Sequence, residues 1–266
     1  MARFNYELTI DKIEKFKAEG RGQGEYEEYK PWLTVRDFPS NGRCSREHGV
    51  KVNREYHFLS DLERYFFYIT EWDDNVVNIR EQFPILERSK TMEIAEMLGY
   101  QHPKSKKTNV NAVMTIDFLV TYKELDGQLK TVARSIKPFK ELFNKRTLEK
   151  LIIEKYYCES IGMEWAVVTD KEINRNLAIN LQELRDYQLQ TYSIDEGVSA
   201  FLKQKIEQVD SRQGVMETMN SICKEININE STLLSCLKML IVTKQIKANL
   251  SVRLNFNKTW KSFLEV

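Results

Sequence analysis

The sequence predicts an α/β chain in which a mixed sheet flanked by helices is followed by a mainly helical region. Up to about residue 172, one helical pattern, two strand patterns joined by a turn, another helical pattern and a last strand pattern follow one another. Such an order is typical of a sheet covered by helices. From about residue 173 the patterns become helical, so we predict two domains, 1–172 and 173–266.

The first of these helices is predicted over residues 62–72, and Ser60 and Glu63 stand at its start. Their spacing is that of a capping box, in which Glu63 would return a hydrogen bond to the backbone. The same carboxylate could equally be a functional group. The spacing alone leaves both interpretations open.

Two strands follow, and each carries a polar side chain that stands out. Asp117 lies in a β-branched run, and Ser135 and Lys137 lie on the next strand, beyond an Asp126-Gly127 turn signal. Side chains two residues apart share a strand face, roughly 6.6 Å apart along it. Antiparallel pairing would therefore bring Asp117 towards Lys137.

A second helix begins near Lys145, because apolar residues recur there with the spacing of one buried helical face. It is expected to end near Gly162, since glycine commonly stops a helix. Residues 165–170 form a short apolar run between charges and are predicted to be a buried strand.

Helices in the second region are expected over 179–187 and 197–209. Two shorter helices, 215–225 and 230–240, are separated by a turn with helix-turn-helix spacing. Residues 244–257 then alternate with a period of two, as in a hairpin or wing. Together these patterns predict a winged-helix domain.

The composition describes an ordinary protein with 42% apolar and 30% charged residues and a net charge of +1. No apolar run approaches the ~18 residues of a membrane span, and the start lacks a signal-peptide core. We therefore expect a cytoplasmic protein without a membrane partner. Four scattered cysteines and three irregularly spaced histidines indicate neither a disulfide framework nor a zinc site.

Basic residues are concentrated in the segment 101–150, which contains eleven Lys or Arg and five Asp or Glu. A basic patch of this kind binds phosphates in a salt-dependent way. A solvated loop explains the lysines between 104 and 107 equally well. The candidate DNA-binding residues are Lys104, Lys106, Lys107, Lys140, Lys145 and Arg146.

Glu63, Asp117 and Lys137 together suggest a metal-dependent site that cuts phosphodiesters. A phosphodiester is already anionic, so an attacking water is repelled unless cations neutralise the developing charge. Carboxylate oxygens hold Mg²⁺ for this purpose, and a lysine can orient the water. Each signal is weak alone, but their order and the hairpin strengthen the combination.

Several pieces of the chain, in order, resemble the TnsA family, the endonuclease subunits of the Tn-seven type of bacterial transposon. The pieces are residues 19–24, 31–35, 59–63, 79–84, 115–120, 146–151 and 169–174. The resemblance implies a restriction-endonuclease-like fold and cleavage at the 5′ ends of the transposon. A separate transposase, TnsB, would cut and join the 3′ ends. The glycine-rich piece 19–24 fits no nucleotide-binding motif and is expected to be flexible or to contact DNA.

Residue by residue, the resemblance implies that Glu63 and Asp117 bind metal, that the Ile136 carbonyl is a further ligand and that Lys137 positions the water. The chain departs from the pattern at Ser135, where close relatives have Gln and the wider superfamily has Glu. We expect the Ser135 hydroxyl to be a weak ligand that reaches the ion through water. One or two Mg²⁺ ions are expected, with Mn²⁺ as a substitute.

Two further expectations remain open. Glu149, near the start of the second helix, would support the site without touching the metal, or would form a surface ion pair. The resemblance implies that the C-terminal domain binds a TnsC-like ATP-dependent regulator. The five basic and no acidic residues of 244–261 argue instead for DNA contact.

These observations predict a Mg²⁺-dependent DNA endonuclease that cuts the 5′ strands at transposon ends together with a TnsB-like transposase, leaving a 5′-phosphate and a 3′-hydroxyl. One alternative is a catalytically weak assembly factor that bridges transposase and regulator, with Ser135 marking a decayed site. Another is a stand-alone restriction-type or junction-resolving nuclease.

Overall fold

The computed structural model describes residues 8–37, 43–189 and 196–264. The chain divides into two compact units, Met1–Ile173 and Asn174–Val266. None of the helices in the described ranges is both long and apolar enough to cross a membrane.

The first unit is built on a four-stranded mixed sheet, which confirms the predicted α/β class. The strand order is β3-β4-β5-β6, antiparallel except for the parallel pair β5-β6. A separate two-stranded hairpin is formed by β1 and β2. The elements are α1 (Ile10–Ala18), β1 (Ser45–His48), β2 (Glu55–Phe58), α2 (Asp61–Trp72), β3 (Val76–Ile85), α3 (Arg88–Met97), β4 (Met114–Lys123), β5 (Leu129–Ile136), α4 (Lys145–Ser160) and β6 (Glu164–Val168).

The predicted hairpin is present as β4 and β5. The two strands pair antiparallel from Phe118 opposite Arg134 to Lys123 opposite Leu129. Gly127 closes the turn with a φ of +85°, a conformation that glycine adopts without strain. The predicted helices over 62–72 and from Lys145 are also confirmed, as α2 and α4.

β6 differs from its prediction as a buried strand. It pairs with β5 and lies at the edge of the sheet, so four of its five residues are only partly buried and Glu164 is exposed. Glu164 forms ion pairs with Lys130 and Arg134 on the neighbouring strand. The apolar run therefore marks one covered face of an edge strand.

Two apolar clusters hold the helices to the sheet. Helices α3 and α4 contribute Ile94 and Ile153 to a cluster that includes Ile116 of β4. A second, aromatic cluster joins β2 and α2, where Phe67 lies 4.8 Å from Phe58 between ring centroids. Burying each of these side chains stabilises the fold by about 1.5–3 kcal/mol.

A buried ion pair fastens the β1-β2 hairpin to β3, a strand that the sequence patterns did not reveal. Arg54 donates to Glu81 at 3.0 Å and to the Ile79 carbonyl at 2.9 Å, and the Glu81 side chain is fully buried. The Tyr29 hydroxyl donates to the Glu81 carbonyl at 2.9 Å. Removing one partner of such a pair leaves a buried charge uncompensated, which costs about 3–5 kcal/mol.

The glycine-rich segment forms a loop that contacts neighbouring parts of the first unit, and the expectation that it is flexible or contacts DNA stays a prediction. Arg21 pairs with Asp37 at 2.7 Å, donates to the Trp32 carbonyl at 3.0 Å and lies over the Phe16 ring. Gly22 has a φ of +77°, and a Cβ atom there would lie 2.1 Å from Pro84 Cγ of β3. Only a residue without a side chain allows this approach.

The second unit contains the predicted helix-turn-helix pair. Asn227 ends α8 in the left-handed conformation with a φ of +53°, and Asn229 caps α9 by accepting the Thr232 N–H at 2.8 Å. The helices of this unit are α5 (Arg175–Glu183), α6 (Arg185–Leu189), α7 (Glu196–Gln208), α8 (Val215–Ile226), α9 (Glu230–Val242) and α10 (Trp260–Phe263).

The predicted hairpin over residues 244–257 is wrong, and a wing is therefore not confirmed. This segment contains no strand, only an isolated bridge between Ala248 and Leu264. The buried side chain of Asn180 donates to the carbonyls of Leu250 at 2.9 Å and Val252 at 2.6 Å. Ile246, Ala248 and Leu250 are buried but Val252 is exposed, so the alternation holds for part of the segment only, and a helical asparagine takes the place of the partner strand.

We predict that Gly22→Ala destabilises the protein more than Gly99→Ala. Both glycines have a left-handed backbone, which costs an L-residue about 1–2 kcal/mol, but nothing lies within 4 Å of a Cβ at Gly99. Gly22→Ala should add the steric cost against Pro84, for a total of about 2–4 kcal/mol. Chemical unfolding of both variants measures this, and equal losses would contradict the close approach of the loop to β3.

Candidate active site

The hairpin brings Asp117 and Lys137 together, as predicted. Asp117 Oδ2 accepts hydrogen bonds from the Ile136 N–H at 2.6 Å and from Lys137 Nζ at 2.5 Å. Lys137 Nζ also donates to the Ile136 carbonyl at 2.9 Å. The Lys137 N–H donates to the Val168 carbonyl at 3.1 Å, which fixes the chain just beyond the end of β5.

Glu63 enters the site from the start of α2, where it takes part in the helix cap, although its carboxylate accepts from the Leu59 N–H and not from the Ser60 backbone. Its functional role stays a prediction. Ser60 caps the helix by accepting the Glu63 N–H at 3.2 Å and donates to Glu63 Oε1 at 2.8 Å. The second oxygen, Oε2, accepts from the Leu59 N–H at 3.0 Å and from Gln82 Nε2 at 3.2 Å. The cap therefore orients the carboxylate beside the β4–β5 site.

Ser135 is directed inward towards α4, and its expected role as a weak metal ligand stays a prediction. Its side chain is fully buried, and its hydroxyl donates to Glu154 Oε2 at 2.6 Å and accepts from Trp165 Nε1 at 3.1 Å. The hydroxyl proton is thus committed to a carboxylate of α4. Glu154, which the sequence analysis did not identify, is the acidic group that the structure places next to this position.

Burial and like charge raise the pKa of two of these carboxylates. Burial raises the pKa of Glu63 to about 7, and the nearby Asp117 charge adds to the shift. Burial also raises the pKa of Glu154 to about 7, although the Lys137 charge opposes the shift. Three acidic groups therefore share a poorly hydrated site.

Lys137 remains a cation in this setting. Burial by itself would lower the pKa of the Lys137 ammonium, but the charges of Asp117, Glu154 and Glu63 act in the opposite direction and leave it raised. A lysine with a raised pKa does not accept a proton at neutral pH. As a cation it can orient a water or a phosphate oxygen.

The donor set fits a Mg²⁺ site of the open type. The described residues contain no group of three His, Cys, Asp or Glu side chains that could hold a metal ion. Mg²⁺, however, is commonly bound by one or two carboxylates, with water and substrate phosphates completing the shell. Glu63, Asp117 and the Ile136 carbonyl could hold such an ion, and a cation would counter the burial and the Asp117 charge that together raise the pKa of Glu63.

Of the two alternatives left open for Glu149, the structure shows the ion pair. It forms an ion pair with Arg146, one turn away on α4, at 2.9 Å. Arg146 also donates to the Gln101 carbonyl, so it ties the helix to a loop. The supporting carboxylate is instead Glu154, five residues further along the helix, where it reaches Ser135. Only the packing of α4 brings Glu154 to Ser135, so no local sequence pattern predicts this contact.

The remaining basic candidates are exposed. Lys104 forms an isolated bridge with Asn111, and the loop continues through the other two lysines of that segment. Phe139 and Phe143 lie between the strand that ends near Lys137 and the start of α4, and both aromatic rings are exposed. The exposed candidate DNA-binding residues are Lys104, Lys106, Lys107, Lys140 and Lys145.

We predict that the stability of the metal-free protein falls as the pH rises from 5 to 8, and that Glu154→Gln weakens this dependence. The folded protein holds a proton on Glu154 up to about pH 7, whereas the ordinary pKa is 4.5, so this stabilisation is present at low pH and lost through pH 7. The contribution is at most about 3 kcal/mol.

Urea unfolding in EDTA at several pH values measures this effect. Glu159→Gln, at an exposed ion pair with Lys155 on the same helix, is the matched control and should retain the wild-type slope. An unchanged slope in Glu154→Gln would contradict the assignment.

Comparisons with known proteins identify the family to which the chain belongs. Residues 73–170 match the family model described as TnsA-like endonuclease N terminal, a range that includes Asp117, Lys137 and Glu154 but not Glu63. The chain is 36% identical over 262 residues to the transposon Tn7 transposition protein TnsA of Escherichia coli, covering 98% of this chain and 92% of that protein. The chain therefore belongs to the TnsA family of transposition endonucleases.

Proposed function

We propose that this chain is a Mg²⁺-dependent DNA endonuclease that cuts the 5′ strands at transposon ends. The observation that carries the proposal is the convergence of Asp117, Lys137 and the Ile136 backbone at one strand end, with Glu63 held beside them by α2. The similarity to a Tn7 transposition protein over almost the full chain supports the substrate class.

Each residue of the site has a distinct task in this proposal. When bound, Mg²⁺ supplies charge neutralisation at the phosphodiester and an acidified water. Glu63 and Asp117 bind the ion, and the Ile136 carbonyl is a neutral ligand. Lys137, which stays protonated, orients the attacking water and the scissile phosphate. Glu154 fixes Ser135 and balances the Lys137 charge from the α4 side.

Partner proteins would complete the reaction. We propose a TnsB-like transposase for the 3′ strands and a TnsC-like ATP-dependent regulator bound by the second unit. A helix-turn-helix pair serves both DNA and protein recognition in different proteins, so the fold alone does not choose between them. The exposed lysines of the first unit, Lys104, Lys106, Lys107, Lys140 and Lys145, are proposed to contact phosphates.

We predict that Asp117→Ala abolishes the 5′-strand cut and leaves the 3′-strand cut intact. The substitution removes a metal ligand and the acceptor that holds Lys137. The measurement is strand-resolved cleavage of labelled transposon-end DNA with the cognate transposase and regulator in Mg²⁺. Asp126→Ala, in the exposed β4–β5 turn, is the control and should cleave like the wild type. Identical products from wild type and Asp117→Ala would instead support the assembly-factor alternative.

We further predict that Lys137→Gln slows the 5′-strand cut by about 100-fold or more without weakening end binding to the same extent. The loss of one preorganised cation that faces developing charge typically costs this much in rate. Single-turnover cleavage rates and a gel-shift titration of the same complexes separate the two effects. A rate within threefold of wild type would overturn the role given to Lys137.

A further inference from the structure

Gln82 of β3 is a buried polar residue with an unusual backbone conformation. It is 2% exposed, and its backbone is left-handed with a φ of +48°. A left-handed non-glycine residue inside a strand is uncommon, and such strain persists only when the surroundings impose it. The neighbouring ladder pairs, Glu81 with Phe118 and Phe83 with Ile116, place Gln82 across from Asp117.

The N-terminal segment imposes this conformation through three contacts on consecutive parts of β3. The Tyr29 hydroxyl donates to the Glu81 carbonyl at 2.9 Å. The Trp32 N–H donates to the Gln82 carbonyl at 3.1 Å. Gly22 lies against Pro84. The backbone of β3 at Gln82 is therefore fixed from outside the sheet.

The consequence of the conformation is the direction of the amide. Gln82 Nε2 donates to Glu63 Oε2 at 3.2 Å in a buried setting. Glu63 Oε2 has one further donor, the Leu59 N–H, so the amide supplies half of the hydrogen bonds to that oxygen. An amide is suited to this task because it donates without adding a charge to a site that already holds three acidic groups.

We propose that Gln82 is a positioning residue that holds the Glu63 carboxylate in the orientation needed to bind the metal. This inference rests on the proposed function, because it assigns Glu63 to a metal site. Groups that orient metal-binding side chains through hydrogen bonds commonly change metal affinity by 10–100-fold when they are replaced. Gln82 acts through Glu63 and touches neither the substrate nor the ion.

The decisive variant is Gln82→Asn. Among non-glycine residues, asparagine is one of the best tolerated in the left-handed region, so the backbone is retained. Its amide is one methylene shorter and cannot span the contact to Glu63. Gln128→Asn is the matched control, because it makes the same chemical change in the exposed β4–β5 turn.

The experiment measures Mn²⁺ binding to the full chain by electron paramagnetic resonance of the free ion, with thermal melting in EDTA as the fold check. We expect Gln82→Asn to melt near the wild-type temperature and to bind Mn²⁺ about 10-fold more weakly. The control should bind like the wild type, and Asp117→Ala should lose the site.

The other outcomes separate the positioning role from the proposed metal site. A folded Gln82→Asn that binds Mn²⁺ like the wild type overturns the positioning role and leaves the proposed function standing. Wild type without Mn²⁺ binding, or Asp117→Ala that binds normally, overturns the proposed metal site and this inference together. If Gln82→Asn does not fold, Gln82→Gly takes its place, because glycine accepts the backbone and lacks the amide. That variant should show the same loss of affinity, and wild-type affinity in it would overturn the role.

Discussion

The register between β4 and β5 is the constraint on which the site depends. Antiparallel pairing fixes Phe118 opposite Arg134, so Asp117 meets the end of the partner strand. There its carboxylate accepts from the Ile136 N–H and from Lys137 at the same oxygen. A slip of one residue would turn each of these side chains to the other face of the sheet. The β4–β5 turn fixes the pairing of the two strands, and the pairing fixes the geometry of the site.

The site next to the β4–β5 pairing contains more acidic than basic side chains. Glu63, Asp117 and Glu154 share the surroundings of one buried lysine, and burial together with like charge raises the pKa of Glu63 and Glu154. Burying three carboxylates beside one lysine does not favour stability. A site of the proposed kind, which binds cations and phosphates, can use these charges because the bound ligand compensates them.

Local sequence patterns predicted several elements of the fold correctly, whereas contacts between distant residues could not be predicted from them. The capping box, the Asp-Gly turn and helical periodicity located α2, the β4–β5 hairpin and α4, since each is decided by neighbours in sequence. Glu154 was missed because only the packing of α4 brings it to Ser135, nineteen residues away. The period of two in residues 244–257 corresponds to burial only as far as Leu250, and the buried Asn180 bonds backbone carbonyls that a partner strand would have bonded.

The N-terminal loop contacts β3 on both sides of the residue that holds the Glu63 carboxylate. Gly22 rests on Pro84, Trp32 holds the Gln82 carbonyl, and the Gln82 amide reaches Glu63. These contacts act in series over a few residues, and close packing transmits displacement with little loss. The position of the Glu63 carboxylate therefore depends on a loop outside the sheet as well as on the helix that carries it.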